Sequence, residues 1–279
     1  MSTTITQTDI DDYCASLIAD ERAAGTIAKY RRDLTAFACW LDAQLATKET
    51  AAAWKAHLLN RRYAPRTINS MLAAVNGFFR FMGWNIRVKF LKIQRQLFRD
   101  TSRELTRNEY DRLLTTARAS KQERLALIME TLCATGIRIS ELRYITVEAA
   151  RDRRATIALK GKIRTILISA KLCRKLLKYA KRQKIASGEV FLTKSGKSIS
   201  RRQVWYELKR LCKVAGVQSS KVFPHNFRHL FATTFYTACK DIARLADVLG
   251  HSSIETTRIY LTVSGEEQAR QLDLLGLVV

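Results

Sequence analysis

The chain has 279 residues, 47% of them apolar, enough for one large domain or two modest ones with packed cores. Its formal charge of +24 exceeds what solubility needs and calls for a polyanionic partner, either nucleic acid or an anionic membrane surface. Nothing favours the membrane, because charged residues interrupt every apolar run well short of the ~20 residues a spanning helix requires. The opening MSTTITQTDIDDY is acidic and polar, unlike a secretory signal. Six cysteines at 14, 39, 133, 173, 212 and 239 show no CxxC and no His/Cys clustering. They read as buried thiols in the reducing compartment of a cytoplasmic protein without a bound metal, not as a zinc site or disulfide frame.

With two prolines and eleven glycines the chain has few breaks, and it reads as mostly helix. Helical periodicity runs over 8–20, 26–46, 49–61 and 65–83. In the second of these Ile27, Tyr30, Leu34, Phe37, Ala38 and Leu41 share one face, opposite Lys29, Arg31 and Arg32. Pro65 suits the first turn of the fourth, which stacks Ile68, Leu72, Val75, Phe78 and Phe79. Four short helices with basic faces make a small bundle over 1–83. Residues 84–103 carry six basic residues and a single acid, Asp100, without a sustained period; they read as a basic linker or as a plain loop. A second domain opens at a capping-box pattern, Thr106 with Glu109 three residues on. Helices over 122–134 and 139–146 precede a strand pair, ATIALKGKIRTILIS, folded at a Lys-Gly-Lys turn. Further helices are predicted at 171–185, 200–215, 224–239, 241–249 and 254–263, followed by a polar stretch and an apolar end at 266–279. The fold class is therefore mainly α with a small β-hairpin.

Charge separates the two parts. Residues 1–97 hold 14 Lys+Arg against 8 Asp+Glu, a net of +6, and residues 98–279 hold 35 against 17, a net of +18. The densest stretch, Arg151 to Lys184, holds thirteen basic residues and one acid, Asp152. A solvated basic helix is the bland reading of such a run; a phosphate-binding surface is the sharper one.

Three blocks can carry chemistry. In ATGIRISEL (134–142), Gly136 can take positive φ and end a helix, leaving Arg138 at a sharp turn where its planar fork can meet a phosphate. In PHNFRHLFATTFY (224–236), Pro224 starts a helix on which His225 and Arg228 lie at i and i+3, a hydrogen-bonding group beside a fixed cation. His229 can share that face but is ranked as structural. In LGHSSIETTRIYL (249–261), a helix stops at Gly250, His251 sits in the turn, Ser253 can cap the next helix and Tyr260 lies two turns along it. Singly, each has an ordinary explanation: a surface arginine, a capping histidine, a half-buried tyrosine.

Taken in order, Arg…His-x-x-Arg…His…Tyr resembles the tyrosine recombinase (phage integrase) family, whose boxes ATGIRISEL, HNFRH and LGHSSIETTRIY match almost in full. The six signature positions are Arg138, Lys160, His225, Arg228, His251 and Tyr260. Phe227 stands where an aliphatic residue is usual, and KGKIR is shorter than the usual Lys-Gly-x-Lys-x-Arg turn. Aligning the first lysine, the glycine and the last arginine selects Lys160 over Lys162. The resemblance is strong over about 104–264 and extends less specifically to the bundle. It implies a two-domain DNA clamp, with a helical core-binding domain at 1–83, a linker at 84–103 and an α+β catalytic domain at 104–265. The tail at 266–279 either folds back on its own domain or docks on a neighbouring protomer.

The resemblance implies an enzyme that breaks and rejoins double-stranded DNA through a 3′-phosphotyrosine on Tyr260. Arg138 and Arg228 would hold the non-bridging oxygens, His225 would be the base near the phenol, His251 a donor to the phosphate and Lys160 the general acid. The covalent link retains the bond energy, so neither ATP nor metal is needed, and no cofactor is expected. The partners implied are DNA, a tetramer of the chain on paired sites that is monomer or weak dimer when free, and accessory DNA-bending proteins. A type IB topoisomerase would share this chemistry, and a DNA-binding protein that keeps the fold without cleaving would keep fewer of the six residues.

Overall fold

The computed structural model describes residues 4–93, 101–159, 162–260, 269–270 and 273–275. They fall into two compact units, Met1–Arg95 and Gln96–Val279.

The first unit is a bundle of α1 (Gln7–Ala19), α2 (Ala24–Leu41), α3 (Lys48–Asn60) and α4 (Pro65–Phe81). Thr6 and Thr47 cap α1 and α3 through their hydroxyls, and Pro65 opens α4. Helix α2 was expected to reach residue 46 but stops at Leu41. Leu41 is the last side chain that face buries, and Asp42 and Ala43 then take positive φ. Phe37, Trp54, Phe78 and Phe79 fill the core. Beyond α4, Trp84, Ile86, Val88 and Leu91 pack against the same core, so the stretch read from sequence as the start of a linker lies on the bundle here. Two asparagines hold it. Asn76 bonds both backbone groups of Val88 at 2.9 and 3.0 Å, and Asn69 bonds both of Leu91 at 2.8 and 2.9 Å. Seven residues of helix and three of extended chain both span about 10 Å, so two amides two turns apart match two backbone groups three residues apart.

The second unit is built around α6 (Glu123–Thr135), which is apolar on nearly every side and lies against α5 (Arg107–Ala119), α8 (Ala170–Arg182), α9 (Arg201–Ala215) and α10 (Pro224–Cys239). Thr106 and Glu109 cap α5 reciprocally, with Thr106 N–H donating to Glu109 Oε2 at 2.9 Å. The segment expected as a helix over 139–146 is instead a tight 3-10 turn, Ile139–Tyr144, followed by the short α7 (Val147–Arg151). Thr146 caps α7 and so ends the preceding turn. Strands β1 (Arg154–Leu159) and β2 (Lys162–Leu167) pair antiparallel, Leu159 opposite Lys162. Lys160 and Gly161, which join them, lie outside the described residues. After α10 come α11 (Ile242–Leu249) and α12 (Ile254–Thr257). The helix expected over 254–263 is shorter: α12 tightens into a 3-10 turn, Arg258–Tyr260, and 261–263 are outside the described residues. So is most of the tail at 266–279. Among the described residues no helix is long and apolar enough to cross a membrane.

Candidate active site

Two glycines set the site's frame. Gly136 ends α6 at φ +64°, and a Cβ there would fall 2.4 Å from the Phe231 ring and 3.0 Å from Leu249. Only glycine satisfies both the left-handed backbone and the close approach of α10 and α11. Gly250 ends α11 at φ +65°, and a Cβ there would meet the Arg164 side chain at 2.5 Å.

Arg228 joins these turns. It sits on the first turn of α10, only 2% exposed, and its guanidinium donates to the Gly136 carbonyl, to the Leu249 carbonyl at 2.7 Å and to His251 Nε2 at 2.9 Å. Burial, then the charge of Arg138, push its pKa down to about 10, while the Tyr260 hydroxyl favours the charged form. Arginine only donates, so His251 Nε2 is the bare nitrogen. Nδ1 therefore carries the proton that bonds Thr257 Oγ1 at 2.8 Å. Burial and the cations of Arg228, Arg138 and Arg164 lower the His251 pKa to about 4, which keeps the ring neutral. The Tyr260 ring is 3% exposed and lies between two imidazoles, stacked at 6.1 Å on His251 and edge-on at 5.1 Å to His229. Ala232, Leu245 and Leu249 close the pocket around it.

Arg138 stands at the start of the 3-10 turn with its side chain 44% exposed. Its N–H donates to Glu141 Oε2 at 2.7 Å and its guanidinium to Glu141 Oε1 at 3.1 Å. Glu141 is 2% exposed and also receives Arg164 at 2.7 Å; Arg164 in turn donates to the Val248 carbonyl at 2.9 Å. One buried carboxylate thus ties Arg138 to strand β2 and to the end of α11. Burial lowers the Arg164 pKa, and Glu141 opposes that shift. His225 faces solvent at the head of α10, its pKa lowered by desolvation and by Arg228 and Arg138.

The fold therefore gathers Arg138, His225, Arg228, His251 and Tyr260 at one place, while Lys160 lies outside the described residues. Sequence reasoning gave no role to Glu141, Arg164 or Thr257. Glu141 was findable, since Arg-x-x-Glu has the same spacing as the Thr106–Glu109 cap. His229, ranked as structural, packs against Tyr260 with Nε2 3.8 Å from Glu104 Oε1. Of the six cysteines expected to be buried, Cys39 and Cys239 are exposed and Cys133 is only partly buried, while Cys14, Cys173 and Cys212 are buried. Among the described residues no group of three His, Cys, Asp or Glu is placed to hold a metal ion.

The model of the phage integrase family matches residues 103–267, and that of the phage integrase N-terminal SAM-like domain matches residues 10–85. The chain belongs to the phage integrase family, and its enzyme class is that of the tyrosine-type site-specific DNA recombinases. It is 32% identical to the tyrosine recombinase XerC of Roseiflexus castenholzii over 89% of this chain and 87% of the relative. Its fold is similar to that of the XerH site-specific recombinase bound to difH substrate, at a TM-score of 0.70 and 18% identity over 95% of this chain and 84% of that one. A lambda integrase tetramer bound to a Holliday junction gives a TM-score of 0.73 at 18% identity, over 91% and 76% of the two chains.

Proposed function

We propose that this chain, acting in the cytoplasm, cuts one DNA strand by attack of the Tyr260 hydroxyl on a backbone phosphorus, forming a 3′-phosphotyrosine and releasing a 5′-hydroxyl that later attacks the link on a partner strand. The buried Tyr260, held between two histidines beside the Arg228 guanidinium, carries this reading. Arg228 and Arg138 bind the non-bridging oxygens, where negative charge grows as the phosphorane forms. His225, neutral and solvent-facing, takes the phenolic proton. Lys160 protonates the leaving 5′-oxygen.

His251 Nε2 accepts from Arg228, and a nitrogen so engaged does not donate to a phosphate. When Arg228 turns to the substrate, the Thr257 hydroxyl can reverse its bond and donate to Nδ1, which moves the ring proton to Nε2 and makes it a donor. The phosphotyrosine retains the energy of the broken bond, so religation needs neither ATP nor metal. Recombination proceeds on paired duplexes in a tetramer, as in the lambda integrase complex, and serves integration or excision of a mobile element or resolution of chromosome dimers.

Tyr260→Phe tests the nucleophile. The variant should melt and bind DNA as the parent does, and form no SDS-resistant adduct. An adduct on the variant would move the assignment to another tyrosine.

A further inference from the structure

The active site leaves most of the basic run unexplained. Of the thirteen cations between Arg151 and Lys184, it uses Arg164 and, by the reading above, Lys160. Six of the others lie on α8, AKLCRKLLKYAKR, which has no acid along its length. Lys171, Arg174, Lys178 and Lys181 are exposed, and at 100° per residue they fall within about 80° of arc, opposite the buried Leu172, Cys173, Leu176 and Tyr179. They form a straight stripe about 15 Å long.

A solvated helix face normally mixes signs, because like charges three or four residues apart repel. Here every such neighbour on the stripe is another cation, and Lys171 sits in the first turn, where the helix dipole disfavours it. Acids do lie close by, but they are already engaged elsewhere. Glu130 holds Arg118 and Lys175, and Glu123 holds Arg182. Lys171, Arg174, Lys178 and Lys181 have no carboxylate partner among the described residues.

The stripe also leads away from the active site. Helix α6 delivers its site residues from its C-terminal end, at Gly136, and α8 runs antiparallel to it, from Lys171 beside Cys133 and Ala134, past Lys175 at Glu130, to Arg182 at Glu123. Along α6, Glu130 and Glu123 lie about 9 and 20 Å from Gly136, so Lys178 and Lys181 stand toward the end of α6 away from the site.

We propose that the outer face of α8 is a second DNA-binding surface, which grips the phosphate backbone of a duplex segment other than the one in the active site. A phosphodiester chain suits it better than an acidic protein does. Protein interfaces are anchored by exposed aromatic or aliphatic side chains, and along α8 itself no large apolar residue is exposed, although Leu167, just before its cap, is. What the stripe offers is repeated, unpaired positive charge, which duplex backbone meets with one phosphate per about 3.4 Å of each strand.

The test compares the full-length chain with the quadruple variant Lys171→Gln, Arg174→Gln, Lys178→Gln, Lys181→Gln. All four positions are exposed, so the melting temperature should be unchanged. Native mass spectrometry with excess random-sequence duplex, about one and a half turns long, counts duplexes per single chain. The parent should hold one more duplex than the variant. In titrations, the salt slope of the weaker class of sites should fall by up to about 3.6 when four phosphate contacts are removed, while the tighter class keeps its affinity. Equal counts in both proteins overturn the proposal, as does an equal loss of affinity in the tighter class, which would make the stripe part of the principal interface. Binding of a poly-glutamate peptide to the stripe without any duplex would mean an acidic protein partner, and also overturns it. Failure of the parent to bind duplex at all would count against the recombinase reading itself, a separate result.

Discussion

Glu141→Gln tests the electrostatic keystone of the site. The substitution keeps the shape of the side chain and removes the charge that faces Arg138 and Arg164. Three donors converge on this carboxylate, the Arg138 N–H and one guanidinium from each arginine. Glutamine offers a single acceptor oxygen and turns an N–H₂ toward one of the donors. Arg164 is 14% exposed, so losing its counter-charge costs about 3–5 kcal/mol, the usual result of breaking a buried pair. Arg138 is 44% exposed and adds at most ~1 kcal/mol after solvent screening. With one hydrogen bond retained, the expected loss is about 3–4 kcal/mol, or roughly 6–16 °C in the melting of the second unit. Urea unfolding followed by fluorescence measures it. Combining the change with Arg164→Met should recover much of the loss, because the stranded cation goes too. Covalent attachment to DNA should slow in Glu141→Gln while DNA affinity holds or rises, since the chain has gained a positive charge. A loss under about 1 kcal/mol with no recovery in the double variant would refute the role given to Glu141.

Thr257→Val should cost about 1–2 kcal/mol, because the half-buried His251 Nδ1–H loses its acceptor; Thr257→Ser should retain most of the stability, and urea midpoints distinguish the two. The DNA-free chain should lose stability on acidification. His251 titrates at about 4 when folded and 6.5 in its ordinary state, so the unfolded chain binds the proton first as pH falls through 6.5, and the loss is complete below about 4. The shift bounds the effect at about 3 kcal/mol, and partial exposure reduces it to ~1–2; His251→Gln should flatten the profile between those pH values. Lys160→Ala should fail on ordinary DNA yet cleave a substrate with a 5′-bridging sulfur, a leaving group that needs no proton. Equal loss on both substrates would assign Lys160 to binding.

The helices were legible in the sequence because their apolar residues recur at helical spacing and their ends carry chemical marks: Thr106 with Glu109, Pro65, Gly136, Gly250. The same periodicity misled over 139–146 and over 258–260, the last described part of the helix expected at 254–263. There, local caps at Thr146 and Ser253 and tightening into 3-10 turns decide the backbone, over segments too short for period to discriminate. Arg138, Arg228, His251 and Tyr260 were picked out because their order resembles the boxes of one family, and the fold brings them together. The contacts that hold them could not. Arg164 reaches Glu141 and Val248 across 23 and 84 residues of sequence, and no local pattern encodes such a distance. The docking of residues 84–91 on α4 was invisible for a similar reason, since it depends on two asparagines whose spacing matters only once helix and extended chain lie side by side.

Arg228 is almost wholly buried, and its neighbours are carbonyls and a neutral imidazole; among the described residues no carboxylate balances it. A guanidinium in that setting destabilises the fold that contains it, which is why its pKa falls. On the function proposed above, a DNA phosphodiester would supply that counter-charge, and binding it would relieve the cost. An apolar residue in place of Arg228 would remove the cost of the buried charge but strand the Gly136 and Leu249 carbonyls it now satisfies, so the fold cannot simply shed that charge to gain stability.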